Sequence, residues 1–317
     1  MRKKPSTIAK ISRLPKTIFL IIFLMILLAL IPFSQKGEFK NKKVAESSIK
    51  GTSISLTTPS PSPASSDAGS PRVETGLGGL SPSSQPQVQV ASAQISGFCL
   101  NVPTLLYHHI EPIAQAQQEG HAWLTVDVAT FDKQMAYLVS RSYSTISADT
   151  LAQALITHQK LPKSVVLTFD DGYRDFYTNA YPIIRKYNLT ANLMIPTGLL
   201  ENSSYLTWSQ LKEITGSGLV FAYDHTWSHS SLPKDSKDKA QFEILTAKKQ
   251  LESNLGKPVN IFAYPYGSEN GAAIDLLRSD GFIAAFSTIG GFTQCNSFIM
   301  SLHRNRISNS PLSSFGL

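Results

Sequence analysis

The run Ser164-Val165-Val166-Leu167-Thr168-Phe169-Asp170-Asp171-Gly172 decides the fold. A short apolar, β-rich segment stops abruptly at two carboxylates and a glycine. Outward from it, similar runs recur at Val102 to Tyr107, Ser144 to Ile146, Ala191 to Ile195, Leu219 to Ala222, Val259 to Tyr264, Phe282 to Phe286 and Phe298 to Leu302. Amphipathic patterns of helical period lie between them, at Phe131 to Ser140, Asp149 to Thr157, Asp175 to Tyr187, Trp208 to Thr215, Lys237 to Leu255 and Ala272 to Ser279. Thr207, followed three residues later by Gln210, reads as a capping box. Strand and helix in alternation predict a parallel sheet with crossovers, here an irregular α/β barrel of the (β/α) kind with seven to eight strands. Chemistry in such folds gathers at the C-terminal ends of the strands.

Several strand ends carry polar residues that packing does not require. Two adjacent carboxylates repel, so Asp170 and Asp171 are either both solvated in a turn or one is neutralised by a cation. The strand from Leu219 leads into His225-Thr226-Trp227-Ser228-His229. Histidines at i and i+4 share one face of a helix and can hold one metal ion. With a strand-end carboxylate they make the three protein ligands of an open zinc site that keeps a water position. Two further strands end in Pro265-Tyr266-Gly267 and in His108-His109.

These three segments, in order, resemble the motifs of the polysaccharide deacetylases with a NodB homology domain, carbohydrate esterase family four. The resemblance covers roughly residues 103 to 307. Thr168-Phe169-Asp170-Asp171-Gly172 is similar to the first motif, His225-Thr226-Trp227-Ser228-His229 to the second and Phe262-Ala263-Tyr264-Pro265-Tyr266-Gly267 to the third. It implies that Asp171, His225 and His229 bind a divalent metal, with zinc expected, that Asp170 is the general base, and that the Tyr266 N–H helps form an oxyanion hole. Pro265, Tyr266 and Trp227 are the expected substrate contacts.

Two positions depart from the common pattern. Ala263 stands where many members have an arginine that steadies the catalytic aspartate, and Ser301-Leu302-His303 is a poor match to the late Leu-x-His motif. Both departures fit the branch containing poly-N-acetylglucosamine deacetylases, in which the Leu-x-His strand lies at the start of the domain. Leu106-Tyr107-His108 fits that arrangement, which makes His108 the expected general acid and leaves His109 and His303 as second choices. The same branch can place a late arginine where the missing one would be, with Arg304 the first candidate and Arg306 the second.

Other residues read more plainly. His121 and His158 lie outside the motifs and are expected to be surface or structural histidines. Trp227 is the first candidate for stacking on a sugar ring, Trp123 is expected in a mobile loop, and Trp208 is expected to pack its helix. Cys99 and Cys295 flank the first and last candidate strands and would be neighbours if the sheet closes. A disulfide between them is permitted outside the cytoplasm.

The charge of the chain is a topology signal. Residues 1–50 hold 11 Lys/Arg and 2 Asp/Glu, leaving 18 basic and 20 acidic residues for the rest. The basic start runs into the uncharged apolar stretch Ile18 to Phe33. With Thr17 it borders the length of a membrane span, and no small-x-small cleavage site follows. The expectation is a cytoplasmic tail at 1–16, a transmembrane signal anchor at 17–33 and everything beyond outside the cell membrane, secreted if the segment is cleaved. Residues 34–97 are expected to form a disordered Ser/Pro-rich linker: 51–97 contain 12 Ser and 6 Pro and no aromatic residue. Such a chain cannot bury enough apolar surface to offset its ordering entropy, and its span would be roughly 45 Å.

Residues 98–317 are then the enzyme, slightly acidic, acting on an N-acetylated amino-sugar polymer such as poly-N-acetylglucosamine or peptidoglycan. The alternatives are an O-acetyl esterase and a non-catalytic glycan-binding module that retains the fold. Nucleic acid is excluded as a partner because the excess charge sits around the apolar anchor, and no protein partner is evident.

Overall fold

The computed structural model describes residues 97–317. The expected tail and membrane span, and all of the expected linker except Gly97, lie outside the described residues. Among the described residues no helix is long and apolar enough to cross a membrane.

In chain order the elements are β1 (Cys99–Asn101), β2 (Thr104–Tyr107), β3 (His109–Ile110), α1 (Ile113–Glu119), β4 (Thr125–Val126), α2 (Val128–Ser140), β5 (Ser144–Thr145), α3 (Ala148–Ile156), β6 (Ser164–Asp170), α4 (Tyr181–Lys186), β7 (Ala191–Ile195), α5 (Trp208–Gly216), β8 (Val220–Asp224), α6 (Lys237–Leu255), β9 (Ile261–Ala263), α7 (Gly271–Ser279), β10 (Ala284–Phe286), β11 (Thr293–Cys295) and β12 (Asn305–Arg306). The expected capping box opens α5: Thr207 accepts from Gln210 N–H and the Gln210 side chain accepts from Thr207 N–H.

An eight-stranded sheet runs β10-β9-β8-β7-β6-β2-β12, with β5 paired to the start of β6. All of these pairings are parallel. The α/β reading therefore holds, as a curled parallel sheet. Leu302 bridges Phe286 at one edge while Asn305 pairs with Leu105 at the other, so one short segment touches both ends of the curl.

Strand alternation separates two cores. Val165, Leu167 and Phe169 of β6 join a cluster with Phe131, Met135, Ile184 and Ile244 from the helices. Val166 joins the opposite cluster with Met194, Ile261, Ala263 and Phe286. Because successive side chains point to opposite faces, Thr168 and Asp170 follow Val166 toward the inside of the curl.

One expected strand is corrected. Phe298 to Leu302 is not extended: Asn296–Ser301 forms a 3-10 turn, and the last strand of the sheet is β12. A short apolar run cannot be assigned by periodicity alone, and here Met300 is buried and Ile299 packs against both cores. Cys99 and Cys295 are directly paired in the antiparallel β1–β11 ribbon and form a disulfide.

Candidate active site

The C-terminal ends of β2, β6, β8 and β9 converge on one cleft of about 300 Å3, lined among others by His108, Asp170, Asp171, His225, His229 and Tyr266. After β6 the backbone turns at Asp171 (φ 71°) and Gly172 (φ 68°). This carries the Asp171 carboxylate to the two histidines, with Oδ1 3.4 Å from His225 Nε2 and 3.1 Å from His229 Nε2.

The histidine pair is not helical, which corrects the expectation drawn from its spacing. Thr226 (φ 66°) and His229 (φ 62°) sit in left-handed backbone, so a compact loop brings the rings together. A β-branched residue there is strained and persists only where surrounding bonds hold it. Asp224 Oδ1 accepts from Thr226 N–H (2.8 Å), the Thr226 hydroxyl accepts from Ser230 N–H (3.1 Å), and buried Glu243 accepts from both N–H and Oγ–H of Ser228 (2.7 Å each).

The donor set fits a divalent cation. Asp171 Oδ1 is buried and makes no hydrogen bond among the described residues, although two imidazole nitrogens face it. His225 Nδ1 lies 2.7 Å from the Ala263 carbonyl, an outer contact that places the proton on Nδ1 and leaves Nε2 as a lone-pair donor. Burial alone would raise the Asp171 carboxyl. The two imidazoles outweigh it and hold the group well below its ordinary value.

Asp170 is held from the opposite side. Arg304, fully buried, donates from Nη1 to Asp170 Oδ1 (2.6 Å) and from Nη2 to Oδ2 (2.9 Å). Its Nε donates to the Ser287 carbonyl (2.8 Å), which fixes the fork. Burial raises the Asp170 carboxyl, but the Arg304 charge, with His225 and His108, brings it below the ordinary value. Arg306, the second candidate, lines the cleft instead and lies over Trp123, 5.1 Å from the ring centroid.

The three candidate acids part in space. His108 lines the cleft, on the same side of its strand as Thr104 and Leu106. Burial lowers its pKa to about 4 against the upward pull of Asp170 and Asp171. His109 faces away and binds Asp175 (Nδ1 to Oδ2, 2.6 Å). His303 stacks on Phe298 at 4.7 Å and is not among the cleft-lining residues.

Tyr266 sits at φ 62° in the turn after β9, its side chain 70% exposed and its ring edge-on to His229. Gly267 and Ser268 donate their N–H groups to Tyr264 O and Pro265 O, whereas the Tyr266 N–H makes no hydrogen bond among the described residues. Gly267 has φ 66°, and a side chain there would collide with Thr288. Pro265 is buried.

The tryptophans differ in where the structure places them. Trp227 packs against Gly198 and lies edge-on to Phe242, away from the cleft lining. Trp123 lines the cleft and is 70% exposed, although it lies in no motif. Tyr173 and Tyr205, stacked at 5.2 Å on the same wall, also carried no motif signal.

A carboxylate pair with one member charge-locked and the other facing two imidazoles, beside a free N–H and a histidine, is equipped for metal-assisted hydrolysis of an acyl group. Residues 157–285 match the polysaccharide deacetylase family model. The chain is similar to the Streptococcus pyogenes deacetylase PplD, solved with acetate, at 30% identity and a TM-score of 0.64, covering 68% of this chain and 97% of that one. It is 29% identical to YxkH of Bacillus subtilis over 209 residues, which is 65% of this chain and 71% of the relative. It is 26% identical over 249 residues to the poly-beta-1,6-N-acetyl-D-glucosamine N-deacetylase of Escherichia coli, where the match spans 65% of this chain but only 36% of the relative's length. The chain belongs to the polysaccharide deacetylase family, a class of hydrolases.

Proposed function

We infer that the protein is a metal-dependent N-deacetylase of an N-acetylglucosamine polymer, poly-β-1,6-N-acetylglucosamine first among the candidates, working outside the membrane from an N-terminal anchor. The observation that carries the reading is the Arg304-locked Asp170 beside the Asp171, His225 and His229 set. The basic start followed by the apolar run Ile18 to Phe33 supports the anchored topology.

A divalent cation bound by Asp171, His225 and His229 would supply Lewis-acid polarisation and acidify water. Asp170, kept ionised by Arg304, accepts the proton of the attacking water. The Tyr266 N–H donates to the oxygen of the acetamide as negative charge develops on it. The protonated form of His108, which burial makes scarce at neutral pH, delivers a proton to the nitrogen as the C–N bond breaks. Amide and water are converted to acetate and a sugar ammonium, so the glycan gains positive charge. Trp123, braced by Arg306, offers a flat face to a sugar ring at the rim.

The test is acetate release from β-1,6-linked N-acetylglucosamine oligomers, chitooligosaccharides and peptidoglycan, with and without chelator. Release from the β-1,6-linked oligomers that chelator abolishes and Asp170→Asn lacks is the expected result. If metal-loaded wild type releases nothing from any of them and Asp170→Asn behaves identically, the reading fails.

A further inference from the structure

A second cluster of metal-ligating side chains lies on the other side of the strand that bears His108. β3 pairs in parallel with β4, and in extended chain residues two apart share a face, so His109 and Glu111 project together. α1 follows and is ended by Gly120 in left-handed conformation (φ 83°), its N–H bonded to Ala116 O. That turn sends the chain back and lays the His121 ring on the His109 ring, with centroids 4.2 Å apart and planes 19° from parallel. Ligand atoms of His109, Glu111 and His121 all lie within 4.8 Å of one another.

The surroundings are those of a ligand set. His109 Nδ1 is taken by Asp175 Oδ2 at 2.6 Å, which leaves Nε2 for a metal, and Asp175 is itself fixed by Ile110 N–H on Oδ1 (2.9 Å). A carboxylate behind an imidazole is the usual outer partner of a metal-bound histidine. Glu111 is buried and its Oε1 bonds His121 Nε2, with Glu119 Oε2 3.7 Å from the same nitrogen. Glu111, Glu119 and Asp175, with the His109 imidazole, line a cavity of about 490 Å3. Arg174, on the same wall, donates from Nε to Tyr205 O.

We propose that His109, Glu111 and His121 form a second divalent-metal site, distinct from the catalytic one, that staples the Glu111 to Thr125 loop and so holds Trp123 at the cleft rim. Two imidazoles with a carboxylate favour zinc over magnesium or calcium. Donors on tetrahedral zinc stand about 3.4 Å apart, so on binding the ligand atoms close up and the His121 ring turns out of its stack on His109, whose other face is covered by Tyr173. The site is independent of the deacetylase reading, since it shares no ligand with the catalytic set.

The experiment is zinc stoichiometry by elemental analysis of full-length, untagged protein after equilibration with zinc and gel filtration. Two equivalents are expected in wild type, and one in folded Glu111→Gln or His121→Ala. The Asp171→Asn/His229→Ala protein keeps the second cluster intact and should hold one equivalent, which the added His121→Ala change removes. Zero equivalents in Asp171→Asn/His229→Ala would overturn the site whatever the fate of the His121 variant. So would two equivalents in folded His121→Ala.

Discussion

Arg304 grips both carboxylate oxygens of Asp170, at 2.6 and 2.9 Å, from 134 residues further along the chain, and both side chains are buried. Removing one partner of a buried pair leaves an uncompensated charge and costs about 3 to 5 kcal/mol. Arg304→Met should therefore lower stability by that order in urea unfolding and reduce kcat by roughly 10²-fold or more, as Asp170 loses its position as base. The double variant Asp170→Asn/Arg304→Met should recover part of the lost stability and none of the activity. A double variant no more stable than Arg304→Met alone would show that the pair is not what holds this corner of the fold.

His108 and His303 offer a direct contrast. General acid catalysis contributes about 10²- to 10⁴-fold, and of these two only His108 lines the cleft. Steady-state kinetics on N-acetylated oligomers should show a kcat loss of that size for His108→Ala, with His303→Ala within a few fold of wild type. The reverse ranking would refute the assignment of the acid to the first strand.

Much of this site was readable in the sequence, for physical reasons that differ from residue to residue. β6 is buried along its whole length, so its apolar run announced itself and its polar end stood out. Arg304 was reachable only through the resemblance, because nothing local in Leu302-His303-Arg304 marks a buried guanidinium. The histidine loop was misread as helical because spacing of four is also produced by two left-handed residues, which composition does not reveal. Trp123 and the His109, Glu111 and His121 cluster depend on α1, a Gln-rich helix with one buried residue. Its pattern has no apolar stripe, so the fold-back at Gly120 left no periodic signal.

Trp123 and Trp227 should separate binding from folding. Trp123 is exposed at the cleft, so Trp123→Ala should raise KM for oligomers roughly tenfold, equivalent to about 1.4 kcal/mol of lost contact, with kcat changed little. Trp227 packs on Gly198 and Phe242, so Trp227→Ala should lower the thermal midpoint instead. A Trp123→Ala protein with wild-type KM would remove the ring from the substrate path.

The remaining prediction concerns pH. Asp149, in the first turn of α3, has its carboxyl raised by burial, against the pull of the Tyr223 hydroxyl that donates to it at 2.7 Å. A carboxyl with a folded pKa above its unfolded value binds a proton more readily in the folded state. Its stabilising contribution is therefore complete below the unfolded pKa and is lost as pH rises through the folded one. Asp149→Asn cannot ionise and keeps an acceptor for Tyr223, although it forgoes the favourable charge at a helix N-terminus. Urea unfolding at about pH 3 and about pH 7, on either side of the ordinary aspartate value, should show the variant gaining on wild type as pH rises. A stability difference that stays constant between the two would mean that Asp149 titrates alike in the folded and unfolded chains.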